Sequence, residues 1–379
     1  MRRRGLFRER RFEESDKLPT EACGPDFYYP YPTRIRFLPS QRDGMADLSR
    51  PRVAVIGAGH RGRGWTALAL SRGWPVSLYD PDSSLLQRAS TDVGQRVRRL
   101  TDQGRADPLA AAGALASLRV GRSLLHAVGD AELVLDALPL DLVGRQRLVE
   151  QIEQVSRAAA ITVSLTGNMS SSALCARLRR PERHVVAYAL DPVEMTPLVE
   201  VVPSPLTDPA CIEMVRAWFE EMDRKTVVLK REVPGNATGR ILAAVWRECI
   251  DLVLEGVVDL EDVDRLVSLG PAIEWAAAGP HLTQVMGAGA RGTGVFLSEA
   301  LQEYERVWGN LARWDSLSSE DRQRLIRLIE RAYDDEPGEL RAERDRFLAR
   351  LLRVIEPTDE IDFTLEENPE SPGESDAAP

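Results

Sequence analysis

The sequence predicts an α/β fold, in which a doubly wound parallel sheet is followed by an all-α C-terminal domain. Three observations lead to this prediction. Up to residue 203, short apolar segments rich in β-branched residues alternate with helical patterns. A glycine-rich turn, G-x-G-x-x-G, joins the first predicted strand to the first predicted helix. Beyond residue 203 long amphipathic patterns replace the alternation, as expected of a helical domain.

Length and composition fit two domains with additional segments at both ends. The chain has 379 residues, of which 43% are hydrophobic. Residues 1–50 open with three arginines and show no sustained period, so we expect either a disordered arm or a start codon misplaced upstream of Met45. The sheet domain is predicted to span 51–203 and the helical domain 204–356. Residues 357–379 form an acidic segment that we expect to be disordered.

The charge balance limits the partners that this chain can have. The formal net charge is −10, whereas nucleic acids and anionic membranes are bound by clustered positive charge. No apolar run approaches the ~18 residues of a membrane span, and we expect a cytoplasmic protein. Four cysteines without a C-x-x-C pair and four scattered histidines predict neither a disulfide framework nor a metal site.

The first element is a short buried strand, Val53 to Ile56, followed by the glycine turn. In a Rossmann-type domain each glycine of this turn has its own task. Gly57 permits a tight turn, Gly59 lets a pyrophosphate approach the backbone, and Gly62 lets the helix pack on the strand. The helix predicted from 63 to 70 would direct its unpaired N–H groups at the phosphates.

A second strand, 74–79, ends at Asp80, close to the spacing of a carboxylate that binds the adenosine ribose. No arginine follows until Arg88, so a 2′-phosphate would meet a negative charge, which favours NAD over NADP. The alternative is a purely structural βαβ unit whose glycine pattern is accidental.

The remaining elements follow in order. From 85 to 125 the pattern is helical, with an alanine-rich break at 108–118. Strands are predicted at 131–138, 160–165 and 184–190, with helices at 145–155 and 171–178. Then come a helix capped by Asp208 that ends at residue 221, a strand at 226–229, and helices at 240–255, 259–269, 282–286, 296–308, 320–333 and 339–355.

Several stretches of this order resemble the 3-hydroxyacyl-CoA dehydrogenase family, and in particular its lambda-crystallin and L-gulonate 3-dehydrogenase branch. The matching stretches are 56–65 (IGAGHRGRGW), 197–203 (PLVEVVP), 255–258 (EGVV) with Asp262 and Asp264, and Gly279-Pro280. The resemblance runs from residue 52 to about 304. It implies an NAD-binding domain, a helical domain that usually forms a homodimer, and hydride transfer at a 3-hydroxy group of a small molecule. The implied cofactor-binding residues are Gly57, Gly59, His60, Arg61, Gly62, Asp80, Leu138 and Arg145.

The same resemblance implies a catalytic histidine oriented by a glutamate, but this chain has Tyr188 at the position of the histidine. The glutamate is retained as Glu200. The other implied substrate-binding positions are occupied by Gly167, Asn168, Asp191, Gly239 and Glu274. The resemblance implies a serine at residue 167 and an asparagine at residues 191 and 239. His184 lies four positions from Tyr188 on the same strand, more than ~12 Å away, and cannot replace the histidine. For His281 an ordinary surface role is favoured.

Two interpretations follow. In the first, the chain is an NAD-dependent oxidoreductase in which Tyr188 and Glu200 are catalytic, and Asp191, Glu200 and Glu274 form an acidic pocket. Glu274 stands where the sugar-acid branch often has arginine, so we expect an amino-bearing or neutral hydroxy compound, not an acyl-CoA or a sugar acid. In the second, the chain binds NAD and has only a structural or regulatory role, because fold does not imply activity.

Overall fold

The computed structural model describes residues 50–288, 292–333 and 337–355, and within them the predicted fold class is confirmed. The predicted N-terminal arm, up to residue 49, and the predicted acidic tail lie outside the described residues. One eight-stranded sheet is followed by consecutive helices. The strands are β1 (Val53–Ile56), β2 (Val76–Tyr79), β3 (Arg119–Val120), β4 (Leu133–Asp136), β5 (Ile161–Leu165), β6 (His184–Tyr188), β7 (Leu198–Val202) and β8 (Lys225–Val228).

The strand order is β3-β2-β1-β4-β5-β6-β7-β8. All neighbouring strands are parallel except β6 and β7, which are antiparallel. The order reverses direction at β1, where ligands of open α/β sheets bind at the carboxyl ends of the strands. The central strands are buried on both faces, which explains their continuous apolar sequences.

Helices cover both faces of this sheet. They are α1 (His60–Ser71), α2 (Ser83–Asp102), α3 (Pro108–Ala116), α4 (Leu124–Val128), α5 (Leu142–Val155), α6 (Ser171–Cys175) and α7 (Pro209–Glu221). A 3₁₀ turn lies at Pro181–Arg183. The main core under β1 includes Trp65 and Trp74, each at most 1% exposed.

The predicted break at 108–118 is wrong, because most of this stretch is helix α3. Pro108 occupies the first turn, where its missing N–H costs nothing. Asp107 caps the helix by accepting a hydrogen bond from Ala110 N–H at 2.7 Å. The predicted cap at Asp208 is confirmed, since its side chain accepts a hydrogen bond from Ala210 N–H at 2.9 Å.

The sheet extends past the boundary that we predicted at residue 203. Strand β7, which was not predicted as a strand, pairs with β6, and β8 then pairs with β7. Helix α7 lies between β7 and β8 in the chain. The sheet-forming part therefore ends after Val228. The pattern beyond residue 203 looks helical because α7 is long and β8, at the sheet edge, is partly exposed.

The remaining helices form the C-terminal part. They are α8 (Asn236–Leu254), α9 (Leu260–Leu269), α10 (Pro271–Gly287), α11 (Thr293–Trp308), α12 (Ser319–Ala332) and α13 (Pro337–Ile355). Helix α10 is longer than the predicted 282–286 and has a kink at Gly279, where φ is +71°. Among the described residues no helix has the length and apolar character that a membrane span requires.

Candidate functional site

The turn between β1 and α1 has the backbone shape that the glycine motif predicts. Gly57 has a φ of +113°, and an added Cβ would lie 2.9 Å from the carbonyl carbon of Ala137. At Gly62 an added Cβ would overlap the Gly57 carbonyl oxygen. At Gly59, in contrast, an added Cβ would meet nothing within 4 Å. This open space and the start of α1 give a phosphate access to backbone N–H groups.

Asp80 lies at the carboxyl end of β2 and is 4% exposed. Its Oδ2 accepts a hydrogen bond from Ala58 N–H at 2.6 Å, and its Oδ1 accepts one from Asp82 N–H at 2.8 Å. Each carboxylate oxygen can accept a second hydrogen bond. Asp80 therefore fixes the glycine turn and still has acceptor capacity for ribose hydroxyls, so this edge of the sheet fits NAD.

Arg145 is buried behind the loop that follows β4. Its Nη1 donates to Asp136 Oδ2 at 2.5 Å, and its Nη2 donates to the Leu138 carbonyl oxygen. Burial raises the pKa of Asp136, and the Arg145 guanidinium opposes that rise. Arg145 thus braces this segment through an ion pair with Asp136 and a hydrogen bond to the backbone of Leu138.

A cavity of about 560 Å³ lies at the carboxyl ends of β4, β5 and β6, and we call it the strand-end cavity. It brings together seven of the residues predicted from the sequence. They are Arg61, Leu138, Arg145, Gly167, Asn168, Tyr188 and Gly239; the other lining residues are Ala137, Pro139, Leu140, Leu165, Thr166 and Gly235. The placement follows from the parallel sheet, whose strand ends meet at one edge.

Tyr188 and Gly167 are in direct contact across β5 and β6. An added Cβ at Gly167 would lie 2.8 Å from Cε2 of the Tyr188 ring and 2.9 Å from Cδ2. Real Cβ atoms essentially never approach a neighbour so closely. The tyrosine at residue 188 and the glycine at residue 167 therefore depend on each other: the ring uses the space that a larger side chain at residue 167, such as the serine implied by the resemblance, would fill.

Arg61 is a positively charged neighbour of Tyr188. Its guanidinium carbon lies 5.7 Å from the centre of the tyrosine ring, within the range of a cation–π contact. Its Nε also forms an ion pair of 2.8 Å with Oδ2 of Asp191. The sequence predicted an acidic pocket at this point, but the structure pairs Asp191 with a cation.

Glu200 lies opposite Tyr188 in the antiparallel pairing of β6 and β7, and it is 2% exposed. Its Oε1 accepts a hydrogen bond from Thr238 N–H at 2.8 Å, at the start of α8. Its Oε2 is buried and has no hydrogen-bond partner. A buried carboxylate oxygen left in this state is costly, so Glu200 retains the capacity to accept one more hydrogen bond, although it is not among the residues that line the strand-end cavity.

Three other predicted or considered residues lie elsewhere. Glu274 is exposed on α10 and does not line the strand-end cavity. His281 is also exposed on α10 and does not line this cavity. His184 is fully buried, and its ring nitrogens lie 3.0 Å from Ser164 Oγ and 3.4 Å from Ser171 Oγ. Burial lowers the pKa of His184 to about 3, so this histidine is neutral at ordinary pH.

An ionic cluster behind the glycine turn was not predicted from the sequence. Arg96 pairs with Glu194, and its Nη2 lies 2.9 Å from Nδ1 of His60. Burial lowers the pKa of His60, and the Arg96 charge lowers it further. Arg96 and Glu194 are far apart in sequence, so no local pattern could reveal them. The cluster keeps the His60 side chain in place beside the proposed phosphate site.

A second cavity, of about 660 Å³, was also missed from the sequence, and we call it the α8 cavity. It begins at Tyr188 and Gly239, which also line the strand-end cavity, and it continues between α8, α9 and α12. Its other lining residues are Leu242, Ala243, Val245, Trp246, Cys249, Ile250, Val253, Leu260, Val263, Asp264, Val267, Leu325, Ile329 and Tyr333.

In the described part of the chain, no group of three His, Cys, Asp or Glu side chains is arranged to hold a metal ion.

Comparison with known proteins adds a family to this geometry. Residues 52–233 match the model of the 3-hydroxyacyl-CoA dehydrogenase NAD-binding domain, and residues 235–324 match that of the C-terminal domain. An L-carnitine dehydrogenase of Bacillus cereus is 30% identical over 83% of this chain and 95% of its own length. An L-carnitine dehydrogenase of Streptomyces coelicolor is 30% identical over 80% of this chain and 94% of its own.

A solved structure has a similar fold. The NAD⁺-dependent dismutase 5-formyl-3-hydroxy-2-methylpyridine 4-carboxylic acid 5-dehydrogenase has a TM-score of 0.69 and 26% identity, and the match covers 80% of this chain and 98% of that chain. The resemblance to the family is confirmed, whereas the nearer likeness to the lambda-crystallin branch stays a prediction.

Proposed function

This chain belongs to the 3-hydroxyacyl-CoA dehydrogenase family, and we propose that it is an NAD-dependent dehydrogenase of a small hydroxy compound, with Tyr188 as its proton-transfer residue. The observation that carries this proposal is the position of Tyr188. Its ring lines the strand-end cavity, contacts Gly167, and lies opposite the retained Glu200.

The cofactor would be held by the glycine turn, Asp80 and the segment that contains Leu138. When bound, NAD supplies a hydride acceptor in one direction and a hydride donor in the other. Asp80 would accept hydrogen bonds from the adenosine ribose, and Gly59 would leave room for the pyrophosphate. Arg145 would act indirectly, since its charge is already used to brace the Leu138 segment.

Oxidation of an alcohol to a ketone removes a hydride from carbon and a proton from oxygen, so the protein must provide a route for the proton. We assign this route to the Tyr188 hydroxyl, which would donate its proton to the carbonyl oxygen in the reductive direction. Glu200, with one oxygen unpartnered, would orient the substrate or the phenol by accepting a hydrogen bond. Asn168, which lines the same cavity, would bind the substrate.

The charges around the site favour a substrate that is neutral or positively charged. Arg61 and Arg145 line the strand-end cavity, but each is paired with an aspartate. Asp264 is the one charged residue among those lining the α8 cavity. An acyl-CoA or a simple hydroxy acid would therefore meet, among these lining residues, only arginines that already have an aspartate partner. L-carnitine, the compound in the name of the relatives, has both a quaternary ammonium group and a carboxylate, and it is therefore an informative test compound.

The test is NAD reduction by a panel of neutral secondary alcohols, amino alcohols, L-carnitine and hydroxy acids. Turnover is expected with a neutral or ammonium-bearing member. Tyr188→Phe should then lower kcat by ~10²–10⁴, the usual contribution of a positioned acid or base. NADH affinity should be unchanged. Tyr304→Phe, on the exposed surface of α11, is the matched control and should keep full activity. Full activity in Tyr188→Phe would remove Tyr188 from the mechanism.

The second candidate is an NAD-binding protein without catalytic activity. It is favoured by the replacement of the histidine that the resemblance implies, since a tyrosine hydroxyl is a much weaker base than an imidazole. It predicts NADH binding without oxidation by any ketone or imine of the panel. A single substrate that is turned over and depends on Tyr188 would exclude it.

We further propose a homodimer formed through the C-terminal helices, and a cytoplasmic location. Helices α10 and α11 present large exposed apolar side chains, which in a single chain would face water. They include Ile273, Trp275, Val285, Met286, Val295, Leu301, Val307 and Trp308. Light scattering should give twice the chain mass of 42.1 kDa, and a value of one chain mass would contradict the dimer. We also propose that no nucleic acid or membrane is a partner.

A further inference from the structure

The α8 cavity is continuous with the site of reaction that we propose. Tyr188 and Gly239 line both cavities. Gly239 has no side chain, and an added Cβ at this position would meet nothing within 4 Å. The passage at this point is therefore open, where the resemblance to the family implies an asparagine side chain.

The cavity is long as well as large. Gly239, Ala243, Trp246, Ile250 and Val253 lie on one face of α8 at the spacing of successive helical turns. At ~1.5 Å per residue, the fourteen steps from Gly239 to Val253 correspond to about 21 Å. A chain that entered beside Tyr188 could extend along this face of the helix.

The lining of the cavity is almost entirely apolar. Its charged residue is Asp264, and the residues that line it include no lysine or arginine. Tyr333 donates a hydrogen bond to Asp264 from the opposite wall, and this bond raises the pKa of Tyr333 to about 12. The phenol therefore stays protonated. The carboxylate disfavours a negatively charged group in its vicinity, while Trp246 and Tyr333 offer aromatic faces to alkyl or ammonium groups.

We propose that the α8 cavity binds an unbranched apolar chain of the substrate, which is not negatively charged and whose reacting hydroxyl group lies at Tyr188. This inference rests on the proposed function, because that function places the reaction at Tyr188. It narrows the substrate class to hydroxy compounds with a long alkyl chain that ends in a neutral or ammonium group.

Direct binding tests the proposal without any turnover. The probes are decanol, decyltrimethylammonium and decanoate, titrated into the full-length protein by calorimetry. Decanol and decyltrimethylammonium should bind, and decanoate should bind roughly tenfold more weakly than either. Ala243→Trp fills the cavity and should weaken the binding of decanol and decyltrimethylammonium by about tenfold or more, since the methylene groups of these probes lose their contacts with the cavity. Ala244→Trp is the control, because Ala244 is the next residue of α8, is also exposed, and does not line the cavity.

Equal weakening by the two tryptophan variants, or tighter binding of decanoate than of the other probes, would overturn the proposal. The proposal would also be overturned if a second copy of the chain covers the α8 cavity. In that case the wild type would bind none of the probes, and Ala243→Trp would dissociate the dimer.

The activity readout separates this inference from the proposed function. If kcat/KM rises with alkyl chain length in the wild type but not in Ala243→Trp, the inference is supported. Turnover without such dependence contradicts the inference alone. Probe binding without any turnover contradicts the proposed function alone.

Discussion

Replacing Gly167 by alanine is the sharpest test of how the site is built. The substitution adds one methyl group beside the Tyr188 ring. Its carbon would lie 2.8 Å from Cε2, 2.9 Å from Cδ2 and 3.2 Å from Cζ, whereas ordinary contact begins at 3.4 Å. The ring must therefore move by about 0.6 Å or more, as the difference between 3.4 and 2.8 Å requires.

This displacement predicts losses in both stability and activity. Overpacking a filled site typically costs ~1–3 kcal/mol of unfolding free energy. If the ring instead rotates into the cavity, the loss of stability is smaller, but the hydroxyl leaves its position. A displacement of about 1 Å in a reacting group can lower the rate by ~10². Gly167→Ala should thus retain NADH binding while losing most turnover.

The assay is a double-mutant cycle measured by urea unfolding. Gly167→Ala is introduced into the wild type and into Tyr188→Ala, which has no ring to overlap. The alanine at residue 167 should be destabilising only where the ring is present, with a coupling free energy of ~1–3 kcal/mol. Gly113→Ala is the matched control, because it lies inside α3 and its added Cβ meets nothing within 4 Å. The same cost of Gly167→Ala in both backgrounds would refute the steric argument.

Two further predictions concern the cofactor and the pH dependence of stability. Asp80→Arg removes the acceptor of the Ala58 N–H bond and of the proposed hydrogen bonds to the ribose. Because charged hydrogen bonds are lost, NADH should bind ~10–100-fold more weakly in a fluorescence titration. An unchanged Kd would contradict the cofactor assignment. His184 has a folded pKa of about 3 against an ordinary value of 6.5, so the unfolded state takes up the proton first as pH falls. The contribution of His184 to the free energy of unfolding should therefore fall by about 2 kcal/mol between pH 7.5 and pH 5. The fall should continue until the pH reaches the pKa of His184 in the folded state. His184→Gln should lose that part of the pH slope in urea titrations, and an unchanged slope would assign it to other groups.

The sequence by itself determined the elements that depend on local patterns. The strand–turn–helix around Gly57 was predictable because a buried strand, a φ that favours glycine and close helix packing leave visible marks on neighbouring residues. The position of Asp80, at the end of the next parallel strand, follows from the same motif. The caps at Asp107 and Asp208 also act over only two or three residues, although we recognised only the second.

Edge strands and the end of the sheet were harder to predict. Strand β3 has two residues, and β8 is half exposed, so neither has the continuous apolar sequence of a central strand. Such strands form because a neighbouring strand of the sheet supplies hydrogen-bond donors and acceptors, and that neighbouring strand cannot be recognised from the local sequence.

Only the tertiary structure decided what surrounds Tyr188. The resemblance identified Gly167, Tyr188 and Glu200 as altered or retained positions, but it could not show that the ring fills the space above Gly167. Nor could it show that Arg61 pairs with Asp191. The physical reason is that these contacts join residues on different strands and helices, where distance and shape, not sequence spacing, decide which atoms meet. The same holds for the α8 cavity, whose walls come from three helices and exist only once those helices have packed.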